Sequence, residues 1–289
     1  MENNIELPIR QAAAIYFKNE VVSYWQEKES KTKDQLIYFI HEQDRVLIRN
    51  TIVDAVVASP EAIRISLSVA LNYIIKYDFP NKWTGIVQQI MGYLQTSEPN
   101  NWAGALLALL QLCKNYEFKN NQEKAPLLDA MKLLSPIIYK MMISLLSDSS
   151  EQSVSLQKII LKIIFIITQY SLPLSLFTNE FFTQWMEVFR QVLDRPVPNE
   201  VNNVDIEERY ELCWYKTKKW AIHILVRIFD RYGSPKTVQK DYKTFASWYI
   251  KTFSLGIIQV ILKMLDQYSK NVYLPPRVLQ QSINYLNTS

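Results

Sequence analysis

The sequence predicts an all-α fold built from stacked pairs of helices, and three observations carry that prediction. Apolar helix signals recur about every 20 residues and pair into units of about 40. Pro60, Pro99 and Pro275 precede long apolar-periodic stretches, where a fixed φ and a missing N–H suit the first turn of a helix. Only 5 glycines occur in 289 residues, which disfavours a glycine-rich β-architecture.

A two-helix unit of this length cannot bury its own apolar face, so successive units are expected to stack into a solenoid. The stretch after Ser153 shows why such stacking is needed. Leu156, Ile160 and Ile163 follow helical spacing, while Phe165 adds apolar surface on another side. A helix that is apolar on two sides packs between neighbours. HEAT and armadillo repeats have a period of about 40 residues, as these units do.

The first two helices follow from apolar stripes. One is expected from Pro8 to about Trp25, with Ile9, Tyr16 and Val21 in its buried stripe. The next, about Glu42 to Ala58, opens with an acidic first turn and is expected to bury Val46, Leu47, Ile52, Val53 and Val56.

The remaining helices follow in the same way. Ser59-Pro60-Glu61 restarts the pattern for a helix to about Tyr77, and a turn at 78–83 leads into a helix that ends near Thr96. Further helices are expected at about 99–117, 126–147, 151–171, 179–194, 216–232 and 239–269, with a last one from Pro275. The sequence therefore predicts about eleven or twelve helices, or thirteen if the segment 239–269 breaks.

The segment 195–215 is the one compositional break. Prolines and asparagines come first, and Asp205, Glu207, Glu208 and Glu211 follow. We expect a long acidic loop between repeats. Such a loop is either merely solvated or docks a basic partner.

Catalysis and metal binding lack their usual residues. Cys113 and Cys213 stand alone in apolar or aromatic settings, which indicates reduced structural thiols in an intracellular protein. His41 and His223 share no zinc-ligand spacing, and nothing local supports a nucleophilic triad. Neither G-x-G-x-x-G nor a Walker loop is present. We predict no enzyme activity, no catalytic residue, no metal and no cofactor.

Charge does not point to nucleic acid. The 32 basic and 28 acidic residues leave a net charge of +4, spread along the chain. Lys216, Lys218 and Lys219 lie among aromatic residues, a pattern that can bind nucleic acid but is more typical of a solvated helix face. The amino terminus has neither a secretory nor a transit pattern, and the longest apolar run, Ile163 to Thr168, is too short to cross a bilayer. We expect a soluble protein with no direct nucleic-acid or membrane partner.

Four stretches carry a resemblance to a known family. They are Leu7 to Asn19 with Trp25; Tyr77 to Trp83; Lys219 to Leu225 with Arg231 to Pro235; and Pro276 to Gln281. The first resembles the closing part of the amino-terminal domain of importin-beta superfamily (karyopherin) transport receptors, and the second is similar to a turn in their early HEAT repeats. The last two resemble the importin seven and eight branch, and the similarity is collinear over essentially the whole chain.

The resemblance implies an all-α, HEAT-repeat right-handed superhelical solenoid and a nuclear import receptor that shuttles between cytoplasm and nucleus through the nuclear pore. Its partners would be the GTP form of the small GTPase Ran, phenylalanine-glycine nucleoporins and basic cargo such as ribosomal proteins and histones. Residues 1–289 would be one segment, from repeat two to the start of seven of a longer receptor, with the first repeat expected before Leu7. The alternative is a HEAT-repeat scaffold for a stable complex, indifferent to nucleotide state.

The resemblance also implies site residues. Ran would lie on helices of the first repeats, at Asp44, Arg45, Arg49, Asn50, Asp54, Lys82, Trp83 and Gln88. Nucleoporin phenylalanines would enter grooves between outer helices, near Ile160, Ile164, Ile167, Ile224 and Ile228.

Overall fold

A computed structural model describes residues 5–27, 38–120 and 122–288. Within these ranges the chain forms eleven α-helices and no strand, so the predicted all-α class is confirmed. The helices are α1 (Leu7–Tyr24), α2 (Glu42–Ala58), α3 (Glu61–Asp78), α4 (Ile86–Leu94), α5 (Pro99–Asn115), α6 (Ala125–Leu146), α7 (Glu151–Thr168), α8 (Asn179–Asp194), α9 (Cys213–Tyr232), α10 (Lys243–Ser269) and α11 (Pro276–Thr288). Short 3-10 helices lie at Asn199–Asn203, Arg209–Glu211 and Lys240–Tyr242.

Local chemistry sets several helix ends. The Ser150 hydroxyl accepts a hydrogen bond from the Ser153 N–H at 3.3 Å, and Thr178 caps α8 in the same way. Pro99 stands at the first position of α5, where its missing N–H leaves no donor unsatisfied. These signals are readable from the chain itself, and the predicted helix bounds therefore lie within a few residues of the observed ones.

The chain divides into two compact units, Met1–Ile137 and Ile138–Ser289. In the first unit α1, α3 and α5 pack side by side, and α2 and α4 contact each other and α5. Gly104 of α5 lies against α2 so closely that an added Cβ would stand 2.5 Å from the Val57 Cα. Helix pairs that share apolar faces with the next pair are the arrangement the periodicity predicts.

The second unit repeats the arrangement. Helix α9 contacts α7 on one side and α11 on the other, while α8 packs on α9 and on α10. Aromatic rings fill the space between α8 and α10, where Phe182 contacts Phe245, Trp248, Tyr249 and Phe253. Ring pairs of this kind add to the burial of apolar surface.

Two predicted stripes are wrong in part. Ile9 and Tyr16 of α1 are exposed, as are Val46 and Leu47 of α2. Before Ile52, the inward positions of α2 are occupied by Arg45 and Arg49 instead. These arginines can be buried because side chains from other segments contact their charged groups. Helical periodicity does not reveal partners that are distant in the chain.

Helix α10 is continuous over 27 residues, so the segment 239–269 does not break. By length and composition, the segment Lys240–Ser269 is long and apolar enough to cross a membrane. It is longer than Ile163 to Thr168, the run that the sequence analysis took as the longest apolar one. One such helix is weak support for a membrane span, since core helices of soluble proteins pass the same test. Its Leu255 is 68% exposed.

Candidate protein-binding surfaces

The residues predicted to contact Ran divide into an exposed and a buried group. Those that reach the surface are Asp44, Asn50, Asp54, Lys82 and Gln88. Helices α2 and α4 lie side by side here, and the Tyr93 hydroxyl donates to Asp54 Oδ1 at 3.0 Å. We call these five exposed residues the α2–α4 surface. It is polar and open to a protein partner.

Arg45, Arg49 and Trp83 are buried instead. Arg49 Nη1 donates to Asp78 Oδ2 at 2.7 Å, and its Nη2 pairs with Glu42. The hydrogen bond from Arg49 lowers the pKa of the Glu42 carboxyl. Since Asp78 is 2% exposed, this ion pair joins α2 to the end of α3 inside the fold.

Arg45 and Trp83 also have structural partners. The Arg45 guanidinium lies 5.8 Å from the Trp25 ring centroid and 5.7 Å from that of Phe39, within cation–π range. The Trp83 backbone N–H donates to the Asp78 carbonyl at 3.0 Å. Both residues are buried beside the α2–α4 surface rather than part of it.

The five isoleucines predicted for nucleoporin contact are core residues. Ile160, Ile164, Ile167, Ile224 and Ile228 are between 0% and 4% exposed. All belong to α7 and α9, which pack tightly against each other. A ligand could reach them only by separating these helices, so the structure does not present them as a binding groove.

An open apolar groove lies elsewhere, between α8 and α10. Its volume is about 180 Å³, and its walls include Met186, Leu193, Phe253, Ile257 and Val260. A cavity of roughly 150 Å³ lined by apolar side chains accepts benzene. The α8–α10 groove is therefore large enough for one phenyl ring.

Glycine and ion pairs shape this groove. A Cβ built on Gly256 meets nothing within 4 Å, so the missing side chain leaves space open. In its wall Arg190 Nε donates to Glu187 Oε2 at 2.8 Å. Sequence reasoning missed the groove because it needs two helices at once, although the spacing of Phe253, Gly256 and Val260 on one helix face could have suggested it.

The histidine, cysteine and acidic side chains of the described residues do not group into a metal or nucleophile site. The part of the chain that the structure describes holds no group of three His, Cys, Asp or Glu residues placed to bind a metal ion. Both cysteines are buried, and burial raises the pKa of the Cys113 thiol, which leaves it unreactive. Burial, with repulsion from Lys219, Arg277 and Arg227, lowers the pKa of His223 to about 4.

Comparison with known proteins gives these surfaces a family context. Residues 1–58 match the Importin-beta N-terminal domain. Over 288 residues, 99% of the chain, the sequence is 48% identical to human Importin-8, and it spans 28% of that protein. It is 32% identical over 291 residues to the Importin beta-like SAD2 homolog of Arabidopsis thaliana, covering 100% of this chain and 28% of that protein.

The matched domain and these two relatives make the chain similar to importins. The exportin Cse1 in its cargo-free, cytoplasmic state has a similar fold, with a TM-score of 0.75 at 15% identity over 99% of this chain and 30% of that one. Importin and exportin family members are transport receptors and not enzymes. The chain spans less than a third of the length of these relatives.

The acidic loop at 195–215 is an ordered connection rather than a bare coil. Two 3-10 helices lie within it, and α9 begins at Cys213, before the predicted end at 215. Asp205, Glu207 and Glu208 are exposed, whereas Glu211 pairs with Lys216, whose hydrogen bond lowers the pKa of the Glu211 carboxyl. Three carboxylates thus remain open to a basic partner.

One buried lysine anchors the start of this loop. Lys218 Nζ donates to the backbone carbonyl oxygens of Leu193 and Arg195, the latter at 2.7 Å. Burial, with the nearby Arg195 charge, lowers the pKa of Lys218 to about 8. Of the basic cluster predicted from the sequence, Lys218 is therefore a structural residue that ties α9 to the end of α8.

Proposed function

We propose that this chain is part of a nuclear import receptor that binds the GTP form of Ran, phenylalanine-glycine nucleoporins and protein cargo. The observation that carries the proposal is 48% identity to Importin-8 over 99% of the chain. The proposal includes shuttling between cytoplasm and nucleus. It also makes the chain the amino-terminal part of a longer receptor, without the first HEAT repeat.

Exposed apolar surface on α10 supports the idea of a longer receptor. Leu255 and Leu262 lie more than half exposed on a helix whose other face packs against α8 and α9. Repeat proteins cover such faces with the next repeat. We propose that a following helix pair occupies this position.

The Ran site that we propose is the α2–α4 surface. Asp54 and Gln88 are exposed and lie on adjacent helices, so truncating both opens no cavity in the core, and Tyr93→Phe serves as a reference that removes only the Tyr93–Asp54 hydrogen bond. We expect Asp54→Ala with Gln88→Ala to weaken binding of GTP-loaded Ran about tenfold, since truncation at two contacts costs roughly 1.4 kcal/mol. Biolayer interferometry measures the effect.

A matched control separates surface from stability. Asp129→Ala with Gln122→Ala removes one acid and one amide from an exposed part of the same unit, away from α2 and α4. This control should bind GTP-loaded Ran as the parent does. Equal affinities for both double variants would place the Ran site elsewhere.

The nucleoporin site that we propose is the α8–α10 groove. Gly256→Leu should fill it, because nothing stands where its side chain would go, and should weaken binding of a phenylalanine-glycine peptide at least fivefold. Gly92→Leu on α4 is the control, since Gly92 is also a helical glycine facing open space. Tryptophan fluorescence titration measures both, and equal weakening would exclude the groove.

We propose that basic cargo, such as ribosomal proteins and histones, meets acidic surface that includes Asp205, Glu207 and Glu208. These carboxylates are exposed and lie within four residues of each other. A cluster of like charge raises the rate at which an oppositely charged partner associates. The triple variant Asp205→Asn with Glu207→Gln and Glu208→Gln removes these charges. A slower association of histone with this variant than with the parent, measured at low salt, would support this role.

A further inference from the structure

A basic stripe runs over three neighbouring helices of the second unit. Lys158 and Lys162 are one turn apart on α7, Arg227 and Arg231 one turn apart on α9, and Arg277 begins α11. Since α9 packs against both α7 and α11, the three sets lie side by side. We call this surface, together with Lys219 of α9, the basic face.

Several cations of this face contact aromatic rings. Lys162 Nζ lies 5.6 Å and Lys219 Nζ 5.5 Å from the Trp220 ring centroid. The Arg227 guanidinium lies 5.6 Å from the Phe165 ring, which itself contacts Trp220 at 5.1 Å. Cations held in this way lose less freedom when a ligand binds them.

Four cations of the basic face are not held in ion pairs by the residues that the structure describes. Among the described residues, no carboxylate lies within ion-pairing distance of Lys219, Arg227, Arg231 or Arg277. Some other cations of this unit are neutralised, as Lys263 is by Asp194 and Lys216 by Glu211. Two carboxyls do lie near these cations: Asp230, whose pKa desolvation raises despite the nearby arginines, and Glu211, which attracts Lys219 as well as its partner Lys216.

A polar recess adjoins these cations between α9 and α11. Its volume is about 560 Å³, and its walls include Arg227, Arg231, Gln281 and Asn284. Amide N–H₂ groups and guanidinium groups both donate hydrogen bonds to carboxylates. Asp230 also lines the recess, but the guanidinium and amide donors outnumber this one carboxyl and suit an acidic side chain.

We propose that the basic face binds a glutamate- and aspartate-rich segment of a partner polypeptide. Carboxylates match both the unpaired cations and the amide donors. Single-stranded nucleic acid would need open aromatic faces for base stacking. The faces of Trp220 and Phe165 are already occupied by cations and by each other, which favours the peptide.

The test is fluorescence anisotropy with a fluorescein-labelled 14-residue peptide of alternating Glu-Asp pairs and Gly-Ser spacers. Lys219→Gln with Arg227→Gln and Arg277→Gln should weaken its binding about tenfold, at two- to threefold for each exposed charge pair. The control is Lys236→Gln with Lys240→Gln and Lys243→Gln, which changes net charge equally on exposed positions away from the face. We expect the control to bind within twofold of the parent.

Further arms make the outcome unambiguous. The conservative variant Lys219→Arg with Arg227→Lys and Arg277→Lys should retain binding, which separates lost charge from damaged folding. Raising the salt concentration should weaken the parent complex, because exposed charge pairs are screened. The proposal is overturned if the parent does not bind the peptide, if both glutamine variants bind it equally, or if a uridine 14-mer binds more tightly than the peptide and depends on the same three residues. None of these measurements involves Ran or nucleoporins.

Discussion

The buried ion pair between Arg49 and Asp78 gives the sharpest stability prediction. Arg49 is 6% exposed and Asp78 2%, and their charged atoms are 2.7 Å apart. Arg49→Met keeps the apolar stem but leaves the Asp78 carboxylate buried without its cation. Removing one partner of a buried pair costs about 3–5 kcal/mol, a large share of the roughly 5–15 kcal/mol that holds a typical domain folded.

A double-mutant cycle isolates this effect. Arg49→Met with Asp78→Leu removes both charges together, so it should be less destabilised than Arg49→Met alone. Urea unfolding followed by circular dichroism at 222 nm measures all members of the cycle. Lys82→Met, an exposed control from the same set of Ran candidates, should change stability by less than about 0.5 kcal/mol. A loss below about 1 kcal/mol for Arg49→Met would refute the structural role assigned to this arginine.

Two further predictions concern packing and pH. Gly104→Ala should destabilise the first unit by about 1–3 kcal/mol, because its Cβ would stand 2.5 Å from the Val57 backbone, whereas Gly92→Ala on an open helix face should stabilise it by about 0.5–1 kcal/mol. Thermal unfolding compares them, and equal effects would contradict the close approach of α2 and α5. The pKa of His223 is about 4 in the folded chain and about 6.5 in the unfolded chain. As pH falls, the unfolded chain therefore binds this proton at a higher pH than the folded chain does. Stability should therefore drop between pH 6.5 and 4 by about 2 kcal/mol, less than the roughly 3.4 kcal/mol of the whole pKa difference because solvent screens the partly exposed ring. The drop should be shallower in His223→Gln, and equal slopes in chemical denaturation across this range would contradict the assignment.

Helix positions were predictable because their signals are local. The bounds of α2 follow from an acidic first turn and from Pro60 just beyond its end, and the observed helix is Glu42–Ala58. Ser150 and Thr178 cap α7 and α8 through their own side chains. Such features need no knowledge of the rest of the fold.

Site residues were less predictable because burial depends on distant partners. Arg49 was expected on a surface because it is polar. Its buried hydrogen bond with Asp78, which is 29 residues away in the chain, holds it in the interior. The isoleucines of α7 and α9 satisfy apolar periodicity so well that they form the core, and an exposed groove has to use other side chains. The α8–α10 groove and the basic face each require two or three helices to come together, which a single helical pattern does not specify.

The most direct test of the transport account compares nucleotide states. The chain, and a form extended at its amino terminus by one helix pair, would be titrated against Ran loaded with a non-hydrolysable GTP analogue and against GDP-loaded Ran. The account predicts that the GTP-loaded form binds at least tenfold more tightly to the extended chain, and that Asp54→Ala with Gln88→Ala reduces this preference. Equal affinity for the two nucleotide states would contradict the receptor account and favour a nucleotide-indifferent scaffold.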